Sequence, residues 1–231
     1  MTRRRHVLRV VLLGALALGL VAPTWAAKLE VARIYIEYNS TDNDLGFHVF
    51  LDGENWKELK IVNPKGRVVF EVEGEGGYEA LGLTELFFEG AEPSLDEFPL
   101  EELLAMFPEG KYRFIGETVE EERITGTARL THAVPAGPEA EVRILAYDTI
   151  VIRWDPVTEP AEILPDKEVE IVGYQVIVES FQVTLPANAT EVTLPREFTL
   201  SLERGEHDFE VLAIEAGGNQ TITAGTFEIE E

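Results

Sequence analysis

Strict alternation over two stretches, Thr149-Ile-Val-Ile-Arg-Trp-Asp-Pro156 and Ile171-Val-Gly-Tyr-Gln-Val-Ile-Val178, constrains this chain more than anything else in it. In an extended strand successive side chains point to opposite faces. Ile150, Ile152 and Trp154 therefore share one face, and so do Tyr174, Val176 and Val178 on the second strand, with Arg153, Asp155, Gln175 and Glu179 turned away. A buried tryptophan closing an early strand against a tyrosine-led strand is the core of a small β-sandwich. That specifies an architecture and leaves the chemistry open.

The chain begins with Arg3, Arg4, Arg5 and Arg9, followed by the apolar run from Val10 to Ala22 and then Pro23-Thr-Trp-Ala-Ala27. A basic head, a short apolar body and small residues at the exit make a secretory leader, cut after Ala26. A membrane helix needs about 20 apolar residues, and this run is shorter. The expectation is an exported protein, periplasmic or secreted, with no membrane insertion once the leader is removed. The whole chain carries 43 Asp and Glu against 19 Lys and Arg, a net charge of −24. The four leader arginines are among the few cations, so the remainder is more acidic still. Such a surface disfavours nucleic acid and anionic lipid, both of which need clustered Lys and Arg. With no cysteine in the chain, disulfides, thiol chemistry and cysteine-ligated metal or iron–sulfur sites are excluded.

Roughly 200 residues after the leader suit two domains. Val134-Pro-Ala-Gly-Pro-Glu139 interrupts the strand pattern and sets the boundary near Gly137, giving modules 28–135 and 139–231. In the first, Ala32, Ile34, Ile36 and Tyr38 share a face, as do Phe47, Val49 and Leu51. Asp52-Gly53 and Asn63-Pro-Lys-Gly66 read as turns, and Arg67–Glu73 as a further strand ended by the glycines from Gly74 to Gly77. Leu100, Leu103, Leu104 and Phe107 keep helical spacing, so one short helix is expected near 99–107, with Ser94 and Glu97 as an upstream capping pair. Lys111–Val119 and Arg123–Thr131 form a hairpin across Glu120–Glu122. The fold class is mainly β: two tandem β-sandwich-like domains, the first with one short helix.

In the second module Phe209, Val211 and Ala213 lie in the run Gly205–Gly217 and lead into a glycine-containing hairpin. With Trp154 on the second strand and Tyr174 and Val176 on the third, this module resembles a fibronectin type III domain, which implies an immunoglobulin-like sandwich of seven strands. His207 stands where that family usually has a corner tyrosine and Glu215 where it often has asparagine, and the first change removes the hydroxyl that ties the corner. The first module is similar to uncharacterised exported bacterial β-rich domains, a resemblance that implies no activity.

Candidate chemistry is sparse. Asn39-Ser-Thr-Asp-Asn-Asp44 gathers six oxygen-bearing side chains in one loop, and Asp42 and Asp44 are the candidate Ca²⁺ ligands, with Asp52 and Glu54 as helpers; the competing reading is an ordinary turn. His48, His132 and His207 are scattered, with no second histidine at metal spacing. Glu85, Glu89, Asp96 and Glu97 could form a hydrolase carboxylate pair, but neighbouring acids are expected in so acidic a chain. Serine occurs at Ser40, Ser94, Ser180 and Ser201, none in a nucleophile elbow. Phe50 alternates away from the core face and Trp56 lies in the turn Asp52-Gly-Glu-Asn-Trp56, which makes both candidate partner-binding aromatics; the alternative for Phe50 is packing under the helix. The acidic connection Pro156–Glu168 reads as a solvated spacer or a binding loop at one end of the second sandwich. Asn39, Asn188 and Asn219 open Asn-x-Thr sequons. The reading is an exported, non-enzymatic binding or scaffold protein of the bacterial cell envelope, needing no cofactor, with a protein or polysaccharide partner. The alternatives are a polysaccharide-binding or Ca²⁺-dependent adhesion module and a carboxylate-dependent, carbohydrate-active hydrolase.

Overall fold

The computed structural model describes residues 27–146 and 149–230, so the expected leader lies outside the described residues. The first half of the chain forms β1 (Ala27–Lys28), β2 (Val31–Asn39), β3 (Asp44–Val62), β4 (Val68–Glu73), α1 (Gly77–Leu81), β5 (Leu83–Glu89), α2 (Leu100–Met106), β6 (Gly110–Thr118) and β7 (Arg123–Leu130). Alternation sets the core here as expected: Ile34, Ile36, Phe47, Val49 and Leu51 are buried, joined by Tyr112, Phe114 and Ile124 from the hairpin.

One long strand organises this half. The Asp52-Gly53 pair, read as a turn, is instead a bend within the 19-residue β3. The first part of β3 pairs with β2 and β5, and the part after the bend pairs with β4 and β6. A Cβ on Gly53 would sit 2.6 Å from a Leu29 methyl and 3.3 Å from Ile124, so the backbone itself packs on the core and no turn can project there. The bend rotates Trp56 inward, opposite Leu83 and Thr118, and leaves it 0% exposed. The reading of Trp56 as a surface aromatic is thereby corrected: the register shift between Asp52 and Trp56 carries it to the core face. Phe50 does not lie under the helix either. Phe47 does, its ring stacked on Phe107 at 4.0 Å between centroids. A second short helix, α1, begins at Gly77, where the glycines predict only the end of a strand; none of its residues is buried. Ser94 caps a turn upstream of α2, accepting from Phe98 N at 2.9 Å through its carbonyl, while Pro99 occupies the helix N-cap.

The second half supplies β8 (Ala140–Ala146), β9 (Thr149–Trp154), β10 (Ile171–Val178), β11 (Phe181–Pro186), β12 (Glu191–Thr193), α3 (Arg196–Thr199), β13 (Gly205–Glu215) and β14 (Gln220–Ile229). A three-stranded sheet, β12-β9-β8, faces the four strands β14-β13-β10-β11. These seven strands form the fibronectin type III-like, immunoglobulin-like sandwich. Trp154 packs on Tyr174 with ring centroids 5.4 Å apart, and the tyrosine hydroxyl accepts from Val157 N at 2.8 Å. At the corner His207 performs the tie that the missing hydroxyl would have made: its Nε2 donates to the Glu203 carbonyl at 2.7 Å, and Nδ1 lies 3.1 Å from Glu179 Oε1.

Apolar side chains gather in two clusters, one in each half, yet the strands do not stop between them. β2 pairs in parallel with β14 through Glu37↔Gln220, Tyr38↔Thr221 and Asn39↔Ile222. Eleven strands among the described residues thus form one sheet through both halves. The turn from β13 to β14 enters the first half through Asn219, which is 1% exposed. Its Oδ1 accepts from Ile36 N at 2.8 Å, and its Nδ2 donates towards the Thr131 carbonyl, Thr131 Oγ1 and the Ala133 carbonyl at 2.9–3.0 Å. Buried so deeply, this sequon asparagine is not presented for glycosylation by the folded chain.

The connection between the halves is also clamped. Ala161 N donates to the Val134 carbonyl and Ala136 N to the Glu159 carbonyl, each at 2.9 Å. The stretch 156–168 is therefore not a solvated spacer: Ala161, Ile163 and Leu164 pack on the first apolar cluster, and Lys167 Nζ reaches Glu109 at 2.8 Å. Its apolar residues at 161, 163 and 164 have a core to cover, and three prolines reduce the entropy of laying the chain across it.

Asn219→Ala leaves the buried Ile36 N–H without its acceptor and should cost about 2–3 kcal/mol in urea unfolding, with no change in secondary structure. A cost within experimental error would show that the amide is not holding the junction. The Glu203 carbonyl, and with it the Glu179 carboxylate, holds the His207 imidazolium above the ordinary histidine range. A raised folded value means that this stabilisation is complete below the unfolded pKa of about 6.5 and lost as pH rises through the folded one. The stability gap between wild type and His207→Gln should accordingly be larger near pH 6 than near pH 8 in parallel urea titrations; a gap independent of pH would contradict it.

Candidate functional site

The polar face of β2, β3 and β5, opposite the first apolar cluster, carries the chemistry that the structure assembles. Register places Tyr35 beside His48, Arg33 beside Phe50, His48 beside Glu89 and Phe50 beside Phe87. Since partners opposite each other share a face, these side chains lie together on the side away from Phe47, Val49 and Leu51. The Tyr35 ring stacks on the His48 imidazole at 5.1 Å, and Phe87 closes over it at 6.0 Å.

His48 is 3% exposed although it points away from the core. Its cover comes from those two rings and from Glu92, which folds back because Gly46 leaves room: a Cβ on Gly46 would lie 2.5 Å from Glu92 Oε1. His48 Nε2 lies 3.3 Å from Glu92 Oε1 and 3.7 Å from Glu37 Oε1, and Nδ1 lies 3.7 Å from Glu89 Oε2. Glu37 Oε2 accepts from the Gln220 amide of β14, so this cluster touches the sandwich directly. Burial holds the Glu37 carboxyl above the usual carboxylate range, and Glu92 pushes the same way against the opposing pull of His48 and Gln220. Burial, with Glu37 beside it, likewise raises the Tyr35 phenol.

Next to the cluster a groove of about 740 Å³ runs along the junction. Arg33, Tyr35, Phe50, Phe87 and Arg129 line it from the first half, and Gln175 and Gln220 from the second. Phe50, the aromatic expected to meet a partner, is half-buried in this lining. Guanidinium, aromatic and amide groups lie side by side there, a set able to hydrogen-bond and stack on a planar or sugar-like ligand.

The loop at 39–44 is built differently from a ligand cage. Asn39 Oδ1 accepts from Thr41 N and Asp42 N, and Asn39 Nδ2 donates to Asp42 Oδ2 at 3.0 Å. Ser40 Oγ donates to the Ile222 carbonyl, while Thr41 Oγ1 accepts from Ala224 N. Asn43 donates to Asp96 and accepts from the Tyr38 hydroxyl. These polar side chains close the turn and dock it on β14. Partial burial, with Glu92 and Asp42 nearby, raises the Asp44 carboxyl. Glu85 and Glu89 alternate on the exposed side of β5, and Asp96 is engaged with Asn43. Sequence reasoning missed Glu37, Glu92, Tyr35, Phe87 and Gln220. The alternation did place Tyr35 and Glu37 together, but nothing local shows that a residue 183 positions away reaches them.

No protein-family model and no curated protein matches the chain. Among solved structures, the chain is similar to a two-domain fibronectin type III segment of chicken tenascin at 12% identity and TM-score 0.30, covering 87% of this chain and 98% of that one. The spore cortex lytic enzyme SleM of Clostridium perfringens is similar over 42% of this chain at 18% identity and TM-score 0.32, and the match spans 28% of the enzyme's length. A 1.5-MDa bacterial ice-binding adhesin is similar at 12% identity and TM-score 0.29, over 88% of this chain and 64% of that one. The sandwich assignment of the second half rests on its own strand order.

Gly46→Ala should displace Glu92 and uncover His48 at little cost in stability, because what a Cβ meets there is the flexible end of the Glu92 side chain. Modification of His48 by diethyl pyrocarbonate, read by peptide mass spectrometry, should then proceed faster than in the wild type. An unchanged rate would show that Glu92 is not what shields the ring.

Proposed function

We propose that this chain is an exported, non-enzymatic binding or scaffold protein of the cell envelope, made of modules 28–135 and 139–231 that act as one unit. The observation that carries the reading is a groove whose walls come from both halves, fixed in relation to each other by the continuous sheet and by Asn219. A scaffold of this kind gains affinity by not having to order its binding face when a partner arrives. The similarity to an adhesin and to fibronectin type III repeats sits comfortably with this reading, but the groove is its basis.

The occupant that this lining fits is a glycan chain. Tyr35, Phe50 and Phe87 offer ring faces and edges for sugar C–H surfaces, Gln175 and Gln220 offer paired donors and acceptors, and Arg33 and Arg129 suit carboxylate-bearing sugars. The aromatic strip is thus this trio, in place of the buried Trp56.

Affinity electrophoresis of the purified protein through gels containing neutral or uronate-bearing polysaccharide tests the proposal. Retardation is expected, strongest with the uronate polymer, and should disappear in Phe50→Ala with Phe87→Ala while the circular dichroism spectrum of the folded protein is retained. Absence of retardation in every polysaccharide would overturn the glycan reading. Release of reducing sugar from any of them would overturn the non-enzymatic one.

A further inference from the structure

We infer that Glu37, His48 and Glu92 form a binding site for a first-row divalent transition metal, and that this site braces the junction between the two halves. Three observations converge on it. The first is ligand spacing. One ligand atom from each of Glu37, His48 and Glu92 lies within 4.8 Å of the other two, and His48 Nε2 is 3.7 Å from Glu37 Oε1 and 3.3 Å from Glu92 Oε1. A tetrahedral ion with bonds of about 2.0–2.2 Å places its ligand atoms about 3.4 Å apart. Small side-chain rotations therefore bring all three atoms to bonding distance, and the exposed flank at Glu92 leaves a position for water.

The second observation is the support around the ligands. Metal-binding histidines are oriented by a group on their other ring nitrogen, and ligating carboxylates by donors of their own. Here Nδ1 of His48 faces Glu89 at 3.7 Å, on the opposite side of the ring from Glu92. Glu37 uses its second oxygen on Gln220, which leaves Oε1 turned towards the imidazole. The third observation is the glycine. Gly46 stands opposite Glu37 in the strand register, and a side chain there would occupy the space that Glu92 fills. A side chain at position 46 would hold the third carboxylate away from the imidazole.

The donor set decides the class of ion. Imidazole nitrogen with two carboxylates suits Zn²⁺, Mn²⁺ or Co²⁺, whereas Ca²⁺ and Mg²⁺ take oxygen ligands throughout. Glu37, Glu89 and Glu92 also bring three carboxyl groups to one buried imidazole, the last two reaching solvent, and a divalent ion would offset their mutual repulsion. Glu37 belongs to the first half and is bonded to Gln220 of the second, in the same register position that pairs β2 with β14. An ion on Glu37 consequently fixes the carboxylate on which that cross-junction contact depends.

Thermal unfolding of tag-free protein, stripped with EDTA and then given Zn²⁺, Mn²⁺, Ca²⁺ or Mg²⁺ at equal ionic strength, is the test. Zn²⁺ at about a hundredfold excess over its Kd should raise the midpoint by roughly 5–10 °C, with little effect from Ca²⁺ or Mg²⁺. Glu92→Gln lies at the surface, should keep the metal-free midpoint, and should lose the Zn²⁺ response. Gln220→Ala should weaken Zn²⁺ binding by about 10–100-fold through Glu37. Visible absorption of added Co²⁺ gives a second readout, expected to intensify on binding in the wild type and not in Glu92→Gln. A Zn²⁺ response no larger than that of Mg²⁺, one that survives Glu92→Gln, or a Co²⁺ spectrum unchanged from that of the free ion would overturn the assignment.

Discussion

The side chain of Asn219 is the contact on which the rest of this structure depends. An amide offers both donors and an acceptor in one plane, and here each is used between segments far apart in sequence. The acceptor takes the Ile36 N–H of β2, while the donors reach the chain leaving β7. The next residue, Gln220, begins the parallel pairing with β2 and also grips Glu37. Burial raises the stakes, because any of these groups left without a partner away from water would cost far more than the bond itself contributes.

Around that contact the chain uses ordinary devices to remove freedom from what would otherwise be a hinge. The backbone of 134–136 is bridged to 159–161, and the apolar residues of the same connection cover the first core. Small polar residues of the 39–44 loop finish the joint by bonding the backbone of β14. The acids that dominate the composition stay mostly outside, where water solvates them, and Glu37 and Glu215 are exceptions at the junction. Glu215 is held by the N–H groups of Gly217 and Asn219, yet burial still raises its carboxyl. Carboxylates that leave water in this way do so with donors arranged for them.

Much of the fold was legible from local pattern. Ile150, Ile152 and Trp154 face Tyr174, Val176 and Val178 as alternation requires, and the hairpin from β6 to β7 turns at Glu121, whose φ is 64°. The turn at Asn63–Gly66 closes through Gly66 N to the Asn63 carbonyl, with Gly66 at φ 79°. Local signal and structure part where a tertiary contact overrides the local preference. Asp52-Gly53 has turn chemistry, but Gly53 is needed because Leu29 and Ile124 press on its backbone. The corner residue His207 removes a hydroxyl and supplies a ring nitrogen in its place, an equivalence of geometry that residue type alone does not disclose.

By itself the sequence determined the class of fold, the two apolar cores and the faces of their strands, because the side-chain period of a strand is a local property. It also determined that cysteine chemistry is absent and that the exterior is acidic. Only the tertiary structure decided that the two halves share one sheet, that Trp56 turns inward, and that Glu37, His48 and Glu92 meet. Those outcomes depend on register and bending between segments tens to nearly two hundred residues apart, for which no short window of sequence carries the information.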